Sequence, residues 1–523
     1  MDIVNSISLS FGPSAKRLVD YLPKGSYVAA AVVLFLCKKV YDFTTVPDKL
    51  SHFPSVSYFS FLRSTLAVES IEDRTRRFIL PLLHKNNGFY VSKFPFYWTV
   101  FVTEPLAVQY LLMKGEIFPK DSRFMDALSK DSLAVRLFGN SNVVFSTGDL
   151  WKHQRKAMNP VFHRTVPVDL FGRMIPDIFK LIEKTDGNVL VDSFLQKITF
   201  DALGRALFGF DFKTMGDDDS EWIAAYNDAM SGITAPILQV ATSYERILRH
   251  FYPHYDKASK GIDKLNKLIL DMVDEKKKKI EESKGQPDAG HEKDFLTLIL
   301  EAEMKENAIS DPDDLRANLA IFIAAGHLST ASSIAFCIYH MAINKDIQNK
   351  ARREALDILG DDDSMVPPTV AECKRVNYIN MLVKEVLRLC SPFGAILERM
   401  TAEDVTLSGA FIPKGTLVSV DIEALHKNPA IWKNPTVFDP ERFRKGGEYD
   451  QHKGITWAPF SDGNRKCLGV NFSMAEQQVV LLMLLKHYEW DLPENSIHKN
   501  GIVYDSIFSF TPKSLSIKFH KRH

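Results

Sequence analysis

The stretch Phe460-Ser-Asp-Gly-Asn-Arg-Lys-Cys-Leu-Gly469 carries the strongest signal for fold and function. Cys467 follows two cationic residues and precedes an apolar helical pattern. Both features favour the thiolate, which is the metal-binding form of cysteine. Gly463 permits a tight turn, and Gly469 permits close backbone approach to a flat group. A lone cysteine is more often a buried structural residue than a ligand, so the interpretation depends on the rest of the sequence.

Composition limits the classes of protein that fit this chain. Its 523 residues carry 65 basic and 65 acidic side chains, a balance that argues against nucleic-acid binding driven by bulk charge. The five cysteines are irregularly spaced and include no Cys-x-x-Cys pair, so they indicate neither a disulfide framework nor a zinc site. A chain of this length buries a large core without disulfides. We expect its core to face a reducing compartment.

Helical periodicity dominates the chain from residue 48 onwards. We predict helices at about 147–164, 167–184, 192–208, 220–231, 257–284, 293–306, 311–344, 346–359, 369–390 and 470–488. Strand-like alternation is limited to short runs at 91–102, 405–420 and 514–519. The sequence therefore predicts a mainly α protein with small peripheral β-sheets. No linker long enough to separate two domains is visible after residue 48.

The N-terminal segment 26–37 is uncharged and is followed by two lysines. A full span needs about 20 apolar residues, so residues 21–41 would cross a bilayer only if the flanking lysines reach the interface. A cleaved signal peptide is the alternative, but lysines stand where a cleavage site would place small residues. We expect residues 1–47 to form an uncleaved membrane anchor and linker, with 48–523 as one domain on the cytoplasmic side.

Two further motifs precede the cysteine loop. Glu385-Val-Leu-Arg388 places an acid and a base on one face of an amphipathic helix, which alone indicates only a surface ion pair. Trp151-Lys-His-Gln-Arg155 likewise places its aromatic ring and guanidinium on one helix face, and alone indicates a packing or cation–π pair. Phe438-Asp-Pro-Glu-Arg-Phe443 lies between the first of these motifs and Cys467.

Taken in this order, the motifs and the unbroken Phe-x-x-Gly-x-Arg-x-Cys-x-Gly pattern resemble the cytochrome P-450 superfamily of haem-thiolate monooxygenases. The resemblance implies a single large domain of cytochrome P-450 fold, with haem b between the long central helix at about 311–344 and the helix after Cys467. Cys467 would be the axial ligand, whose thiolate promotes O–O cleavage. The cofactor-binding residues implied by the resemblance are Cys467, Trp151, Arg155, Arg399, Arg465, Phe460 and Gly469.

The same resemblance assigns a structural role to three charged residues. Glu385, Arg388 and Arg442 would form a buried charge network that supports the haem-side core. Removing one member of such a network is costly, because it leaves an uncompensated charge in the interior.

The long central helix contains a glycine, Gly326. Glycine within a helix is about 1 kcal/mol less stable than alanine, so the residue needs an explanation. Either a groove for a ligand or tight packing against a neighbouring helix would provide one. Ser329 can donate to the Ala325 carbonyl and open the helix locally. This segment resembles the family's oxygen-activation segment only in part, since Leu328 replaces the usual acid and Ser329 the first threonine. The resemblance implies Ser329 and Thr330 as catalytic hydroxyls.

Proton delivery requires a hydroxyl and a route for protons. Because Leu328 removes the acid, the relay would use water, His327, Thr330 or a group elsewhere. The substitution puts efficient coupling of oxygen activation to product formation in question.

The resemblance assigns the substrate-pocket residues by their position in the family's sequence pattern. The residues concerned are Ala324, Ala325, Phe393, Ala395, Ile396 and Phe508. Each could equally be a core residue. An apolar pocket of this kind suits a lipophilic substrate, and a steroid or terpenoid, a fatty acid and a foreign lipophile all fit.

The expected reaction inserts one atom of O2 into such a lipophile at the endoplasmic reticulum membrane. No dinucleotide-binding glycine motif is present, so electrons would come from NADPH through a separate NADPH–cytochrome P-450 reductase, with cytochrome b5 as a second donor. A basic face would suit an acidic donor protein, although a generic solvated face is an equal alternative. Its lysines are Lys152, Lys156, Lys453, Lys466 and Lys486.

Two other functions stay open. Leu328 motivates a haem-thiolate isomerase, dehydratase or peroxide-using enzyme, which would turn over without NADPH or O2. A non-enzymatic haem-based ligand-binding or sensor protein would bind its ligand tightly and form no product. The Ser329 hydroxyl, the cysteine loop and the expected anchor favour the monooxygenase.

Overall fold

The computed structural model describes residues 24–67, 69–83, 87–94, 97–121, 123, 125, 128–162, 167–216, 220–235, 238, 245–283, 293–306, 311–504 and 511–522. Helices dominate these residues. The helices of six residues or more are α1 Lys24–Thr44, α2 Tyr58–Leu66, α3 Pro105–Met113, α4 Leu133–Phe138, α5 Gly148–Phe162, α6 Val168–Lys184, α7 Val191–Leu203, α8 Glu221–Ile233, α9 Tyr255–Glu282, α10 Phe295–Glu306, α11 Pro312–Ile343, α12 Lys345–Leu359, α13 Tyr378–Leu389, α14 Ile422–Lys427 and α15 Val470–His487.

Nine short strands form three small sheets within the described residues. The strands are β1 Phe89–Phe94, β2 Tyr97–Val102, β3 Asn188–Leu190, β4 Arg399–Met400, β5 Val405–Leu407, β6 Ala410–Ile412, β7 Leu417–Val420, β8 Tyr488–Asp491 and β9 Ser516–Lys521. The sheet orders are β1-β2-β7-β4, β3-β9-β8 and β5-β6. The predicted fold class, mainly α with small sheets, is confirmed. The predicted run 91–102 is an antiparallel pair that matches Phe89 with Val102.

The expectation of one helix over 369–390 is wrong. The structure has a short turn, Val370–Cys373, and then a separate helix, α13. The Glu354 carboxylate of α12 accepts hydrogen bonds from the backbone N–H groups of Asn377, Tyr378 and Ile379 at 2.7–2.8 Å. An acid from another helix therefore caps a new helix start, which the local pattern could not show.

A second difference concerns the predicted helix 192–208. It runs as α-helix to Leu203 and ends in a π-helical turn, Gly204–Phe208. A Cβ at Gly204 would lie 2.5 Å from the Phe212 ring, so this turn packs without room for a side chain.

The central helix α11 belongs to two hydrophobic cores. Its first half, from Leu315 to Ile323, packs in one core with residues of α4, α7, α8, α9 and α10. Its second half, from Ala331 to Ala342, packs in another with α6, α12, α13 and α15. Residues 325–330 belong to neither core. This stretch therefore lies at the junction of the two cores and adds no side chain to either.

Among the described residues, only α11 combines the length and apolar composition needed to cross a membrane, and 72% of its most apolar window is buried. Packing in the two hydrophobic cores explains why α11 is so apolar. By contrast, α1 exposes its apolar side chains. These are Val32, Val33, Leu34, Phe35, Leu36, Val40 and Tyr41.

Candidate active site

The cysteine loop folds back on itself just before α15. The backbone N–H of Cys467 donates to the Phe460 carbonyl at 2.9 Å, and Gly463 to Arg465 form one 3₁₀ turn. Gly463 has φ of 66°, and a Cβ there would lie 2.3 Å from the Leu112 carbonyl oxygen of α3. Only glycine fits this turn. A Cβ at Gly469 would meet no described atom within 4 Å, so packing within the chain does not explain that glycine.

The Cys467 side chain keeps accessible surface although it lies deep in the fold. A thiol that lines an interior space combines accessible surface with deep burial. Burial raises the pKa of this thiol, while a hydrogen bond from the Gly469 backbone N–H and the charge of Arg155 act in the opposite direction. The cation that acts on this thiol is Arg155, and not Arg465 or Lys466, which adjoin it in the sequence. Arg465 turns away to lie 3.8 Å above the Trp151 ring, and Lys466 is exposed.

One face of α11 is open at the junction of the two cores. Ala325 is exposed and Ser329 is partly exposed, whereas the intervening His327 is fully buried. Residues four apart share a helix face, so Ala325 and Ser329 line the same space. The Ser329 hydroxyl donates to the Ala325 carbonyl at 2.7 Å, as its spacing predicts, and the helix stays unbroken.

Hydroxyl contacts join this part of α11 to the helix that follows Cys467. Thr330 Oγ1 lies 3.0 Å from Ser473 Oγ and also donates to the Gly326 carbonyl. Ser333 donates to the Gln477 side chain at 2.6 Å. The Thr330 hydroxyl is thus held in a helix–helix contact, and Ser329 is left as the hydroxyl on the open face.

Gly326 is explained by packing and not by a ligand groove. A Cβ there would lie 2.7 Å from Leu203 Cδ1 on α7. His327 faces the same side of α11. Its ring makes edge-on contacts with Tyr226 and Phe200, and burial lowers its pKa to about 4. His327 therefore lies on the opposite face of α11 from Ser329, and its expected place in a proton relay is wrong.

Arg399, which is buried, and Arg465 and Trp151, which are partly buried, leave N–H groups without a partner among the described residues. Arg399 is 1% exposed, and its Nη1 donates to the Leu111 carbonyl, but its Nε and Nη2 have no acceptor. Arg465 Nη2 donates to the Ser146 carbonyl, while its Nη1 and the Trp151 Nε1 are unpaired. Buried donors without acceptors are rare. Four in one cluster indicate a binding site for acceptor oxygens.

The charges of this cluster are close enough to act on one another. Burial, Arg399 and Arg155 together lower the pKa of Arg465 to about 9. Arg155 itself donates to the Lys466 carbonyl at 2.7 Å, so the structure places its guanidinium on the backbone of the cysteine loop. Among the described residues no carboxylate charge acts on Arg399 or Arg465, and a buried excess of cations requires anionic groups to offset it.

Lys120 joins this cluster, and no sequence motif indicated it. It pairs with Arg399 across an antiparallel bridge and donates to the Leu397 carbonyl at 3.2 Å. Burial, with Arg399 and Arg465 as further causes, lowers its pKa to about 7. Only a tertiary pairing between residues far apart in sequence brings this lysine to the site.

Glu385, Arg388 and Arg442 form a separate, fully bonded network. The Arg388 guanidinium donates to both Glu385 carboxylate oxygens at 2.7 and 2.8 Å, and neither side chain is exposed. Arg442 Nε donates to the same carboxylate at 3.3 Å, and its other nitrogens reach Glu448 and the Asn434 carbonyl. This network holds the segment before the cysteine loop against α13.

The expected pocket residues divide between two sides of the chain. Phe393, Ala395 and Leu397 are exposed in alternation, which a near-extended backbone produces on one face. Ile396 points to the other side and packs on the core of the first sheet, so it is the exception. Leu397 is exposed instead of Ile396. The alternation that begins at Phe393 could have predicted this from the sequence. Phe508 lies outside the described residues.

Ala324 is partly buried and packs on the first of the two cores, so in the middle of α11 it is its neighbour Ala325 that offers an exposed apolar surface. The interior space therefore has three kinds of wall: apolar side chains, one thiol, and a cluster of unpaired N–H donors. No group of three or more His, Cys, Asp or Glu residues among those described could hold a metal ion. A metal bound by Cys467 thus needs a prosthetic group, and an apolar macrocycle with carboxylates fits these walls.

Comparison with known proteins gives independent findings. The profile of the family described as Cytochrome P450 matches residues 70–519. Taurochenodeoxycholic 6 alpha-hydroxylase of Sus scrofa is 30% identical over 353 residues, which cover 65% of this chain and 68% of the relative. Cytochrome P450 4F12 of Homo sapiens is 27% identical over 398 residues, covering 70% and 72%.

The fold is similar to that of a solved structure. The crystal structure of the cytochrome P450DA heme domain matches with a TM-score of 0.72 and 20% identity, over 90% of this chain and 98% of the other.

Proposed function

Because this chain belongs to the cytochrome P450 family, and is a monooxygenase whose haem iron takes a cysteine thiolate ligand, we propose that Cys467 is that ligand and that the substrate is a lipophile. The observation that carries the proposal is the meeting of one accessible interior thiol with four unpaired N–H donors. A haem presents an iron at its centre and two carboxylates at its edge, which these two features complement.

The chain's own residues would hold the prosthetic group at both places. Cys467 supplies its sulfur, to which the Gly469 backbone N–H donates a hydrogen bond. Arg399, Arg465 and Trp151 supply the donors for the carboxylates, and hydrogen bonds from a guanidinium to a carboxylate are among the strongest in proteins. The bound haem supplies the chemistry that activates O2.

Ser329 is the hydroxyl that we propose to hold a proton near the reacting oxygen. While its Oγ donates to the Ala325 carbonyl, it can accept a hydrogen bond from the open face but cannot donate one. Delivery of a proton therefore requires the hydroxyl to rotate away from that carbonyl. Leu328 provides no acid to reload it, so water must supply the proton.

The apolar walls formed by Ala325, Phe393 and Leu397 support a lipophilic substrate. One relative is named as a hydroxylase of a bile acid, so a steroid acid is one member of the class to test, beside fatty acids and foreign lipophiles. The family requires a redox partner. We propose a separate NADPH–cytochrome P-450 reductase, with cytochrome b5 as a second donor.

A basic face near the cysteine loop supports an acidic partner. Lys152, Lys156, Lys453 and Lys466 are exposed. Lys486 is not part of this face, and its inclusion was wrong. It is buried, and it donates to Asp362 at 2.7 Å.

We also propose that residues 1–47 anchor the chain in the endoplasmic reticulum membrane, with residues 48–523 as the catalytic domain on the cytoplasmic side. The exposed apolar side chains of α1 support this. Lys93 joins α1 to the first sheet, since its ammonium donates to the Phe43 carbonyl at 2.5 Å and lies within 6 Å of the Tyr58 and Trp98 rings. When the membrane fraction is washed at alkaline pH, the protein lacking residues 1–44 should be released into the supernatant. Unchanged retention would contradict the anchor.

The test of the function is turnover with isotope-labelled oxygen. The protein is supplied with reductase, NADPH and 18O2, and is offered bile acids, fatty acids and several drugs. We expect one labelled oxygen atom in the product of one substrate class. A product without label, formed also when NADPH is omitted, would support the isomerase or peroxide chemistry that Leu328 motivates. Tight ligand binding without any product would support a sensor.

A further inference from the structure

The middle turn of α11 has an unusual set of hydrogen bonds. Four consecutive main-chain carbonyls, of residues 325 to 328, each accept a side-chain hydroxyl. The donors, in the same order, are Ser329 at 2.7 Å, Thr330 at 3.2 Å, Thr199 at 3.1 Å and Ser332 at 2.8 Å. Carbonyls that also accept hydroxyls hold their helical N–H partners less firmly. None of residues 325–330 is itself a member of either hydrophobic core.

Thr199 differs from the other three donors because it belongs to another helix. Ser329, Thr330 and Ser332 lie on α11 and move with it. Thr199 is on α7, and its hydroxyl reaches across to the His327 carbonyl. It is thus the donor of the four that comes from another helix, whereas Thr330 contacts a neighbouring helix through Ser473 of α15 at 3.0 Å.

The Thr199 hydroxyl has a choice of acceptors. Its single hydrogen faces the Leu195 carbonyl of its own helix at 3.0 Å and the His327 carbonyl at 3.1 Å. Thr199 would stay satisfied within α7 without any contact to α11. The bond to His327 is therefore an addition to what the fold of α7 requires.

The same turn of α11 is held by packing from two helices. The His327 ring lies edge-on to Phe200 of α7 and to Tyr226 of α8, with centroids 4.7 and 4.4 Å apart. Leu203 of α7 fills the space beside Gly326. Contacts from α7 and α8 thus surround the face of α11 opposite Ser329, and the Thr199 hydrogen bond is the directional one among them.

We propose that Thr199 is a positioning residue for the reaction: its hydrogen bond to the His327 carbonyl sets the turn of α11 that presents the Ser329 hydroxyl to the interior space. The inference rests on the proposed function, since it concerns the hydroxyl that delivers the proton. A hydroxyl displaced by a few tenths of an ångström delivers protons less efficiently, and displacements of about 1 Å cost as much as 100-fold in rate. Reducing equivalents would then be lost as peroxide.

The test compares three variants. Thr199→Val removes the hydroxyl, and Thr199→Ser keeps it. Thr214→Val is the matched control, because the buried Thr214 hydroxyl donates to the Lys197 carbonyl of the same helix α7 at 2.7 Å and does not reach α11. Two readouts are taken on the haem-loaded proteins: hydrogen exchange of peptides covering residues 321–332, and the ratio of product to peroxide with reductase and NADPH.

We expect Thr199→Val to speed exchange in these peptides and to lower the ratio of product to peroxide by about tenfold. Haem content and the spectrum of the reduced carbon monoxide adduct should be unchanged. Thr199→Ser should restore both readouts, and Thr214→Val should leave both at wild-type values.

Equal exchange in Thr199→Val and Thr214→Val would overturn the inference, and so would faster exchange with an unchanged ratio. The wild type alone reports on the proposed function. If it yields no labelled product from any substrate class, the proposed function fails, whereas a failure of the inference leaves wild-type turnover intact.

Discussion

Two groups of buried arginines in this chain differ in one respect. Arg388 and Arg442 surround Glu385, and every nitrogen of their side chains has an acceptor. Arg399 is also buried and Arg465 is partly buried, but three nitrogens of their side chains, with that of Trp151, have no acceptor among the described residues. The first group contains its own carboxylate, and the second does not.

The difference separates a structural role from a binding role. A guanidinium that is fully paired within the chain has no capacity left for a ligand, and it contributes through the folded state. A guanidinium buried with free N–H groups costs stability until acceptors arrive. The second group therefore fits the carboxylates of a haem, and the chain supplies every other part of the site.

The largest effect is expected from breaking the paired group. Arg388→Met leaves the Glu385 carboxylate buried without its main partner, which should lower the free energy of unfolding by about 3–5 kcal/mol. Urea unfolding of the haem-free protein measures this. If the decreases in unfolding free energy caused by Arg388→Met and by Arg399→Met differ by less than about 1 kcal/mol, the distinction between the two groups is contradicted.

A smaller effect is expected from the unpaired group, and on a different quantity. Arg399→Met removes two nitrogens that have no acceptor within the protein and one that donates to the Leu111 carbonyl, so the haem-free protein should lose no more than about 1 kcal/mol of stability. Haem should leave about 10- to 100-fold faster, as expected for losing hydrogen bonds to a charged group. Haem transfer to apomyoglobin gives the rate. A wild-type rate would exclude Arg399 from the site.

Trp151→Phe should have a still smaller effect. The variant keeps a ring beneath the Arg465 guanidinium but removes the unpaired Nε1–H. A neutral hydrogen bond contributes about 1 kcal/mol, so haem should leave about fivefold faster. If Trp151→Phe matches Arg399→Met in the transfer assay, the charge of the arginine is not what holds the carboxylate.

A pH dependence is expected from Lys120. The pKa of Lys120 is lowered to about 7 in the folded protein, below its ordinary value. Between pH 7 and about 10.4 the unfolded chain thus binds more protons at this side chain than the folded chain. The haem-free wild type should gain stability as pH rises through that window, relative to Lys120→Met, and should have lost this contribution at pH 7 and below. Parallel pH profiles would contradict the placement of Lys120 among the cations.

Local sequence predicted the parts of the site that lie within one motif. The cysteine loop needs its glycine, and the Glu385–Arg388 pair is one helical turn apart, so spacing alone places both. The back-bond of Ser329 to Ala325 follows from the same helical spacing. Most helices were also predictable, because their periodicity extends over many residues.

Sequence could not predict features that depend on distant partners. Lys120 meets Arg399 only through a bridge between segments 279 residues apart. The break after Cys373 is set by the Glu354 carboxylate of another helix. The turn of Arg465 towards Trp151, which removes its charge from the thiol, depends on how α5 packs on the loop. In each case a tertiary contact overrides what the neighbouring residues favour.

The most direct test is the absorption spectrum of the reduced carbon monoxide adduct of the haem-loaded protein, for the wild type, Cys467→Ser and Cys390→Ser. Cys390 is a matched control because it is a buried thiol, only 5% exposed. We predict the red-shifted Soret band of a thiolate ligand in the wild type and in Cys390→Ser, and its loss in Cys467→Ser. Persistence of that band in Cys467→Ser would contradict the account, because the thiol of the cysteine loop would not then hold the iron.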